Sequence, residues 1–161
     1  MKNTSHLMAI ICLLILSSCK RAPIPITESE KDSIICEIKD VFELLNKEMN
    51  DHNVDGIMRY FDDEDFIYAA DGYLNTNLDD FKAAVNRTHT NPALLPFSLN
   101  FNKIHVRVME RDLVMLDGLG IINTSAGTGQ EQSFQIVMSL LMKNTDGKWK
   151  VISGHESIRE I

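Results

Sequence analysis

The chain has 161 residues, which is enough for one domain of ordinary size after removal of a leader. It contains 23 acidic and 16 basic side chains, for a formal net charge of −7. An acidic chain without a basic stripe offers no surface for DNA or RNA, so the composition excludes nucleic-acid binding as its main function.

The first nineteen residues carry the clearest signal in the sequence. Lys2 is followed by ten apolar residues, 7–16, too few for a helix to cross a bilayer core of about 30 Å. Two serines, small residues typical of a cleavage site, come next. The stretch LSSC at 16–19 resembles the lipobox of bacterial lipoproteins. That resemblance implies a diacylglyceryl group on the Cys19 thiol, cleavage before Cys19, and a further acyl chain, such as palmitate, on the new amino group.

This leader predicts a location in the bacterial cell envelope, with the domain held by lipid on the periplasmic or outer-surface side of a membrane. Each buried CH₂ contributes about 0.8 kcal/mol, and two or more chains anchor a protein stably. An ordinary secretory signal cut near Ser18 stays as the alternative. Removal of Lys2 with the leader leaves 15 bases against 23 acids, a charge of −8. Lipid, rather than charge, would therefore hold the domain at an anionic membrane.

The sequence predicts three regions: a signal peptide at 1–18, a tether at 19–29 and a single domain at 30–161. Of the three cysteines, Cys12 leaves with the leader and Cys19 is lipidated, so Cys36 is the one thiol left and no internal disulfide can form. No spacing of cysteine and histidine is typical of zinc. We therefore predict no metal and no cofactor.

Helices are predicted in the first half of the domain. Thr27 or Ser29 can cap a helix over 30–51, whose apolar residues form one stripe, with Cys36 nearly opposite. A short helix over 56–61 follows. The acidic run at 62–65 could suit a calcium ion, but a solvated turn explains it better. A third helix is predicted over 78–87.

Strands dominate the second half. Residues 66–70 and 73–74 form a predicted hairpin around Asp71 and Gly72. Four longer strands, 101–109, 113–124, 132–143 and 148–157, are then joined by tight turns. Strand 101–109 alternates in polarity, 132–143 has one apolar face, and 113–124 is more apolar throughout. Gly118 and Gly120 indicate strong curvature or the close approach of another backbone.

These elements predict an α+β fold, in which a cone-shaped, strongly curved and mostly antiparallel sheet wraps around about three N-terminal helices. Their order resembles the nuclear transport factor 2-like superfamily, closest to its SnoaL-like and ketosteroid isomerase-like branches. The resemblance rests on 58–72, 78–85 and the ending DGKWKVISGHES at 146–157. It implies a pocket between the concave sheet face and the helices, and dimers through the outer face. It also implies relatives that are isomerases, cyclases, dehydratases or non-catalytic binding domains.

The last strand supplies candidate ligand contacts. Its alternate residues from Trp149 to Ser157 are predicted to share one face, with Trp149 in the core and Ser153 and His155 towards the mouth of the cone. Tyr68 and Met138 complete the predicted ligand-binding set. Core packing is the alternative for Trp149 and Met138, and the sequence leaves open whether Tyr68 points into the cone.

Acid–base candidates come from the same region. In the isomerase-like branch an aspartate near the end of the first strand moves the proton, but the matching position here is Ala69. A dehydratase-like site would use His155, with Asp117 or Asp71 fixing its tautomer. The alternatives are a structural histidine and an outward-facing carboxylate.

The leading hypothesis is thus a lipid-anchored, non-catalytic domain that binds a small, largely apolar ligand or a protein partner. An isomerase or dehydratase using a His–Asp pair is the first alternative. A homodimeric interaction module, working through its outer sheet face, is the second.

Overall fold

In the computed structural model, the described residues are 25–161 without 65, 71, 93, 94 and 126–130. They contain three helices and six strands, so the α+β class is confirmed, as is the count of about three helices. The helices are α1 (Glu28–Asn50), α2 (Val54–Met58) and α3 (Leu78–Thr90). The strands are β1 (Ile67–Ala70), β2 (Tyr73–Asn75), β3 (Phe97–Glu110), β4 (Leu113–Thr124), β5 (Gln132–Thr145) and β6 (Lys148–Glu160).

Helix α1 begins at a capping box. The Thr27 hydroxyl accepts the Glu30 N–H, while the Glu30 carboxylate accepts the Thr27 N–H at 2.7 Å. Thr27, one of the two predicted caps, is therefore the cap in use. The apolar stripe of α1 is buried against the sheet, and Cys36 is exposed, as predicted.

Both ends of α1 are tied to the sheet, the first through the turn between β3 and β4 and the last through β3. At its start, the Arg111 guanidinium pairs with Glu30 and also donates to the Pro25 carbonyl at 3.1 Å. At its end, the Asn50 amide group exchanges two hydrogen bonds with the Leu99 backbone, at 2.8 and 2.9 Å. The helix is thus held along the inner face of the sheet.

Helices α2 and α3 differ from prediction at their ends. Asn53 caps α2 by accepting the Gly56 N–H, so this helix begins at Val54 instead of residue 56. Asn77 caps α3, and that helix continues to Thr90, beyond its predicted end at 87. The extra turn of α3 reaches the interior of the domain.

The sheet has the strand order β2-β1-β6-β5-β4-β3 and is curved and open. Strands β3 to β6 form the predicted antiparallel meander. Strand β6 is not an edge strand, because β1 pairs with it in parallel. Its far side is therefore occupied, and the hairpin of β1 and β2 extends the sheet.

The two glycines of β4 make room for a neighbouring strand. A Cβ on Gly118 would lie 2.9 Å from the Phe101 ring, and one on Gly120 would lie 2.8 Å from the Asn100 carbonyl oxygen. The Phe101 ring can therefore cross β4 and pack edge-on against Phe42 of α1, with their centroids 4.9 Å apart. Close approach of another backbone, one of the two predicted reasons for these glycines, applies at Gly120, whereas Gly118 faces the Phe101 side chain.

A β-bulge in β6 overturns the predicted alternation of this strand. Met142 pairs with Val151, but its neighbour Leu141 pairs with Ser153, so Ile152 is an extra residue. One inserted residue moves every later side chain to the other face. Trp149 and Val151 point inward, as predicted. The later residues do not follow them: Ser153, His155 and Ser157 lie on the outer face, and Gly154 and Glu156 take the inner one.

Candidate functional site

A cavity of about 520 Å³ lies between the inner face of the sheet and the helices. Its wall is mainly apolar, and a few polar side chains interrupt it on two sides. From the helices come Leu45, Met49, Ile57, Phe81, Ala84, Val85, Arg87, Thr88 and His89, from the strands Tyr68, Ala70, Tyr73, Asn75, Met138, Leu140 and Glu156, and from the segments between them Phe61 and Asn91.

The sheet side of the cavity carries a tyrosine–carboxylate pair. The Tyr68 hydroxyl donates to Glu156 Oε2 at 3.0 Å. Tyr68 is 2% exposed, and its ring lies over Gly154, where a Cβ would be 2.4 Å from the ring. Glycine is therefore required beneath this ring. The arrangement fixes one oxygen of a half-buried carboxylate beside the apolar side chains of Ala70 and Met138.

The helix side carries a pair of histidines. His89, in the last turn of α3, is 9% exposed, and its Nδ1 lies 3.3 Å from Nδ1 of His52 in the turn after α1. The Phe97 ring packs edge-on against both imidazoles, with centroid distances of 4.6 and 5.1 Å. Burial, and then the neighbouring His52, lower the pKa of His89 to about 4. His89 is therefore neutral at pH 7.

Two of the four predicted ligand contacts line the cavity, and the other two lie outside its described wall. Tyr68 and Met138 line the cavity, and Tyr68 points inward, which the sequence left open. Trp149 is buried in the core outside the described cavity wall, where its Nε1–H donates to Glu37 at 3.2 Å. Ser153 lies on the outer face because of the bulge at Ile152.

The predicted acid–base residues do not meet in the cavity. His155 and Asp117 occupy one cross-strand row on the outer face, separated by Ser139, whose hydroxyl donates to Asp117 at 2.6 Å. Two strand spacings separate them, or about 10 Å. The prediction that His155 faces the mouth of the cone was wrong for the same reason as for Ser153. Asp71, and also Cys19, lie outside the described residues.

Sequence reasoning missed Glu156 and His89. A glycine within a strand can mark a bulge, and Gly154, two residues beyond the bulge, was the available signal. Counting with one residue inserted would have placed Glu156, not His155, on the inner face. His89 continues the four-residue spacing of Phe81 and Val85 on the inner side of α3. The predicted end of α3 at residue 87 left His89 outside the helix, so this spacing was not recognised.

The described ranges contain neither a membrane-spanning helix nor a cluster of metal ligands. No helix there is both long and apolar enough to span a membrane. Within the same ranges, no three histidine, cysteine, aspartate or glutamate side chains are grouped so as to hold a metal ion.

The helices, the curved open sheet and the cavity between them define a nuclear transport factor 2-like fold. The SnoaL-like domain family matches residues 38–159, most of the chain, and the chain belongs to this family. The resemblance noted in the sequence is thereby confirmed at the level of the domain.

Several solved structures share this fold. The hexachlorocyclohexane dehydrochlorinase LinA-type3 of Novosphingobium barchaimii LL02 aligns with a TM-score of 0.70 at 13% identity, covering 83% of this chain and 91% of that one. A candidate scytalone dehydratase of Novosphingobium aromaticivorans DSM 12444 gives 0.73 at 10% identity, covering 83% and 89%. An NTF2-like protein of unknown function from Pseudomonas putida KT2440 gives 0.65 at 16%, covering 78% and 87%. Identities this low establish the fold alone, and no curated protein matches the chain.

Proposed function

We propose that this domain binds a small, largely apolar molecule in the cavity between the sheet and its helices. The observation that carries the proposal is the cavity itself, about 520 Å³ in volume and mainly apolar, with polar groups converging from two walls. Ligand cavities typically measure about 300–1,000 Å³ and combine an apolar wall with a few placed polar groups. Tyr68 and Met138 keep their predicted role as ligand contacts.

Native mass spectrometry tests this proposal. The chain from Lys20 contains every described helix and strand and avoids the lipid site. We expect a species with extra mass that is lost on denaturation. Ala84→Phe would fill the cavity, whereas Ala83→Phe adds the same ring to the exposed side of α3. Bound mass should disappear from the first variant only. Retention of that mass by Ala84→Phe would place the ligand elsewhere.

The proposal assigns no ligand chemistry to His155 or Asp117, because both lie on the outer face. In the alternative, where the protein is an isomerase or dehydratase, His155→Ala abolishes turnover and leaves the fold intact. In the binding proposal, the same variant keeps ligand mass and affinity. The one variant therefore separates the two functions.

The outer sheet face supports a second function, as the contact surface of a homodimer. Strand β5 has apolar residues on both faces: Met138 and Leu140 point inward, while Val137 and Leu141 point outward. Val137 is 44% exposed and Ile67, on the same outer face, is 43% exposed. Exposed apolar side chains on the outer face of a sheet already covered on its other side suit contact with a second copy.

We also propose that Cys19 is lipidated and holds the domain at a membrane of the cell envelope. The support is the sequence LSSC at 16–19 after a short apolar run. Cys19→Ser should leave an unprocessed precursor that incorporates no labelled palmitate, whereas Cys36→Ser should be processed normally. Equal labelling of the parent and Cys19→Ser would disprove lipidation at this residue.

A further inference from the structure

We infer that the ligand of this cavity is an apolar molecule with a protonated amine, which Glu156 receives with Tyr68 as its positioning partner. This inference rests on the proposed binding function and adds the chemical class of the ligand. The Glu156 carboxylate, a charged type of side chain, lies in the wall of a mainly apolar cavity.

The bulge at Ile152 is what brings the carboxylate inside. Before the bulge, the inner face of β6 is apolar, with Trp149 and Val151. After it, Glu156 pairs with Met138 on one side and with Ala70 on the other, and all three line the cavity. Without the inserted residue, His155 would occupy the inner face and Glu156 the outer one.

Tyr68 fixes the orientation of this carboxylate. Its hydroxyl donates to Oε2 at 3.0 Å, and its ring is confined between Gly154 below and Phe81, whose centroid is 4.6 Å away. The carboxylate is thus held in one orientation before any ligand arrives. Preorganisation of this kind lowers the entropy cost of binding.

The cavity favours a cation over an anion. An ammonium group donates to a carboxylate through a charge-assisted hydrogen bond, about twice as strong as a neutral one, so a cationic head group suits the position of Glu156 in the cavity wall. His89 on the opposite wall is neutral and adds no positive charge. Arg87 also borders the cavity, but it lies on an exposed part of α3, whereas Glu156 is half-buried. A ligand carboxylate would meet like charge at the sheet wall.

A matched set of probes tests the inference: 1-aminoadamantane, 1-adamantanol and adamantane-1-carboxylate, which share one apolar cage and differ in the head group. Isothermal titration of the chain from Lys20 at pH 7.5 should show the amine binding at least about tenfold more tightly than the carboxylate. Glu156→Gln should remove most of that preference and change alcohol binding little. Glu160→Gln, an exposed position on the same strand, is the control.

Tyr68→Phe is the second variant, for the case in which Glu156→Gln fails to fold. It removes only the hydroxyl that orients the carboxylate, so the preference for the amine should weaken while the alcohol still binds. Equal binding of amine and carboxylate, or a preference that survives both variants, overturns the inference and leaves the binding proposal standing. If no probe binds and native mass spectrometry shows no bound mass, the inference and the binding proposal both fail.

Discussion

At the scale of single residues, the local environment decides which protonation state each group adopts. His52 and His89 face each other through Nδ1 at 3.3 Å, and one imidazole donates to the other. A proton on both would place two positive charges at this distance, beside an apolar ring from Phe97. Burial and this neighbour therefore keep His89 neutral at pH 7, and acidification destabilises its buried position.

The direction of the pH dependence follows from the lowered pKa of His89. In the folded chain this pKa is about 4, below its ordinary value of 6.5, so the unfolded state binds the proton first. The stabilising contribution of the neutral imidazole is complete above pH 6.5 and is lost as the pH falls towards 4. We expect the free energy of unfolding to decrease by on the order of 1 kcal/mol between pH 6.5 and 5.

Urea denaturation across that range measures this decrease. His89→Gln should flatten the profile, because an amide keeps polar character without titrating. His155→Gln removes an exposed histidine and should leave the slope unchanged. The explanation would be wrong if the His89→Gln profile kept the slope of the parent.

At the scale of elements, helix α1 shows how much one cap contributes. Thr27 satisfies the Glu30 N–H, and Glu30 in turn receives the Thr27 N–H and the Arg111 guanidinium. The Thr27 backbone, the Thr27 side chain and Arg111 all hold the pKa of Glu30 low, at about 2, with the backbone bond first. This network therefore persists until strongly acidic pH.

Thr27→Ala should lower the free energy of unfolding by about 1 kcal/mol, since replacing a threonine cap by alanine typically costs 0.5–2 kcal/mol. Ser29→Ala is the matched control. Ser29 was the alternative cap in the sequence, but it lies inside the first turn of α1. Equal destabilisation by the two variants, measured by chemical denaturation, would show that the cap has no special role.

The elements also show what could be predicted from the sequence. The stripe of α1 and the alternation along β5 follow directly from period, since each buries one face. The bulge at Ile152 could not be found that way, because period-two counting assumes that no residue is inserted. The parallel pairing of β1 with β6 depends on contacts between residues distant in sequence, such as Ala69 with His155. Consequently the pocket was predicted, but two of its polar groups, Glu156 and His89, were not.

At the scale of the whole molecule, the sheet separates two surfaces with different chemistry. The inner one encloses the cavity. The outer one carries a polar row across four strands, with apolar side chains in the rows on either side, among them Met115, Leu119, Val137 and Leu141. The polar row consists of His105, Asp117, Ser139 and His155. Cavity binding and self-association would therefore use opposite faces, and one can be altered without the other.

Val137→Lys tests this separation. Val137 lies on the outer face of β5, and a lysine there would place two like charges in any symmetric contact between copies. Leu44→Lys introduces the same charge at an exposed leucine of α1, 53% exposed and away from the sheet. In sedimentation equilibrium of the chain from Lys20, the parent and Leu44→Lys should dimerise, and Val137→Lys should be monomeric.

A stable contact buries about 800 Å² per partner, which an outer face of four long strands can supply. A parent chain that stays monomeric at high concentration would remove the dimer and leave the cavity as the functional surface.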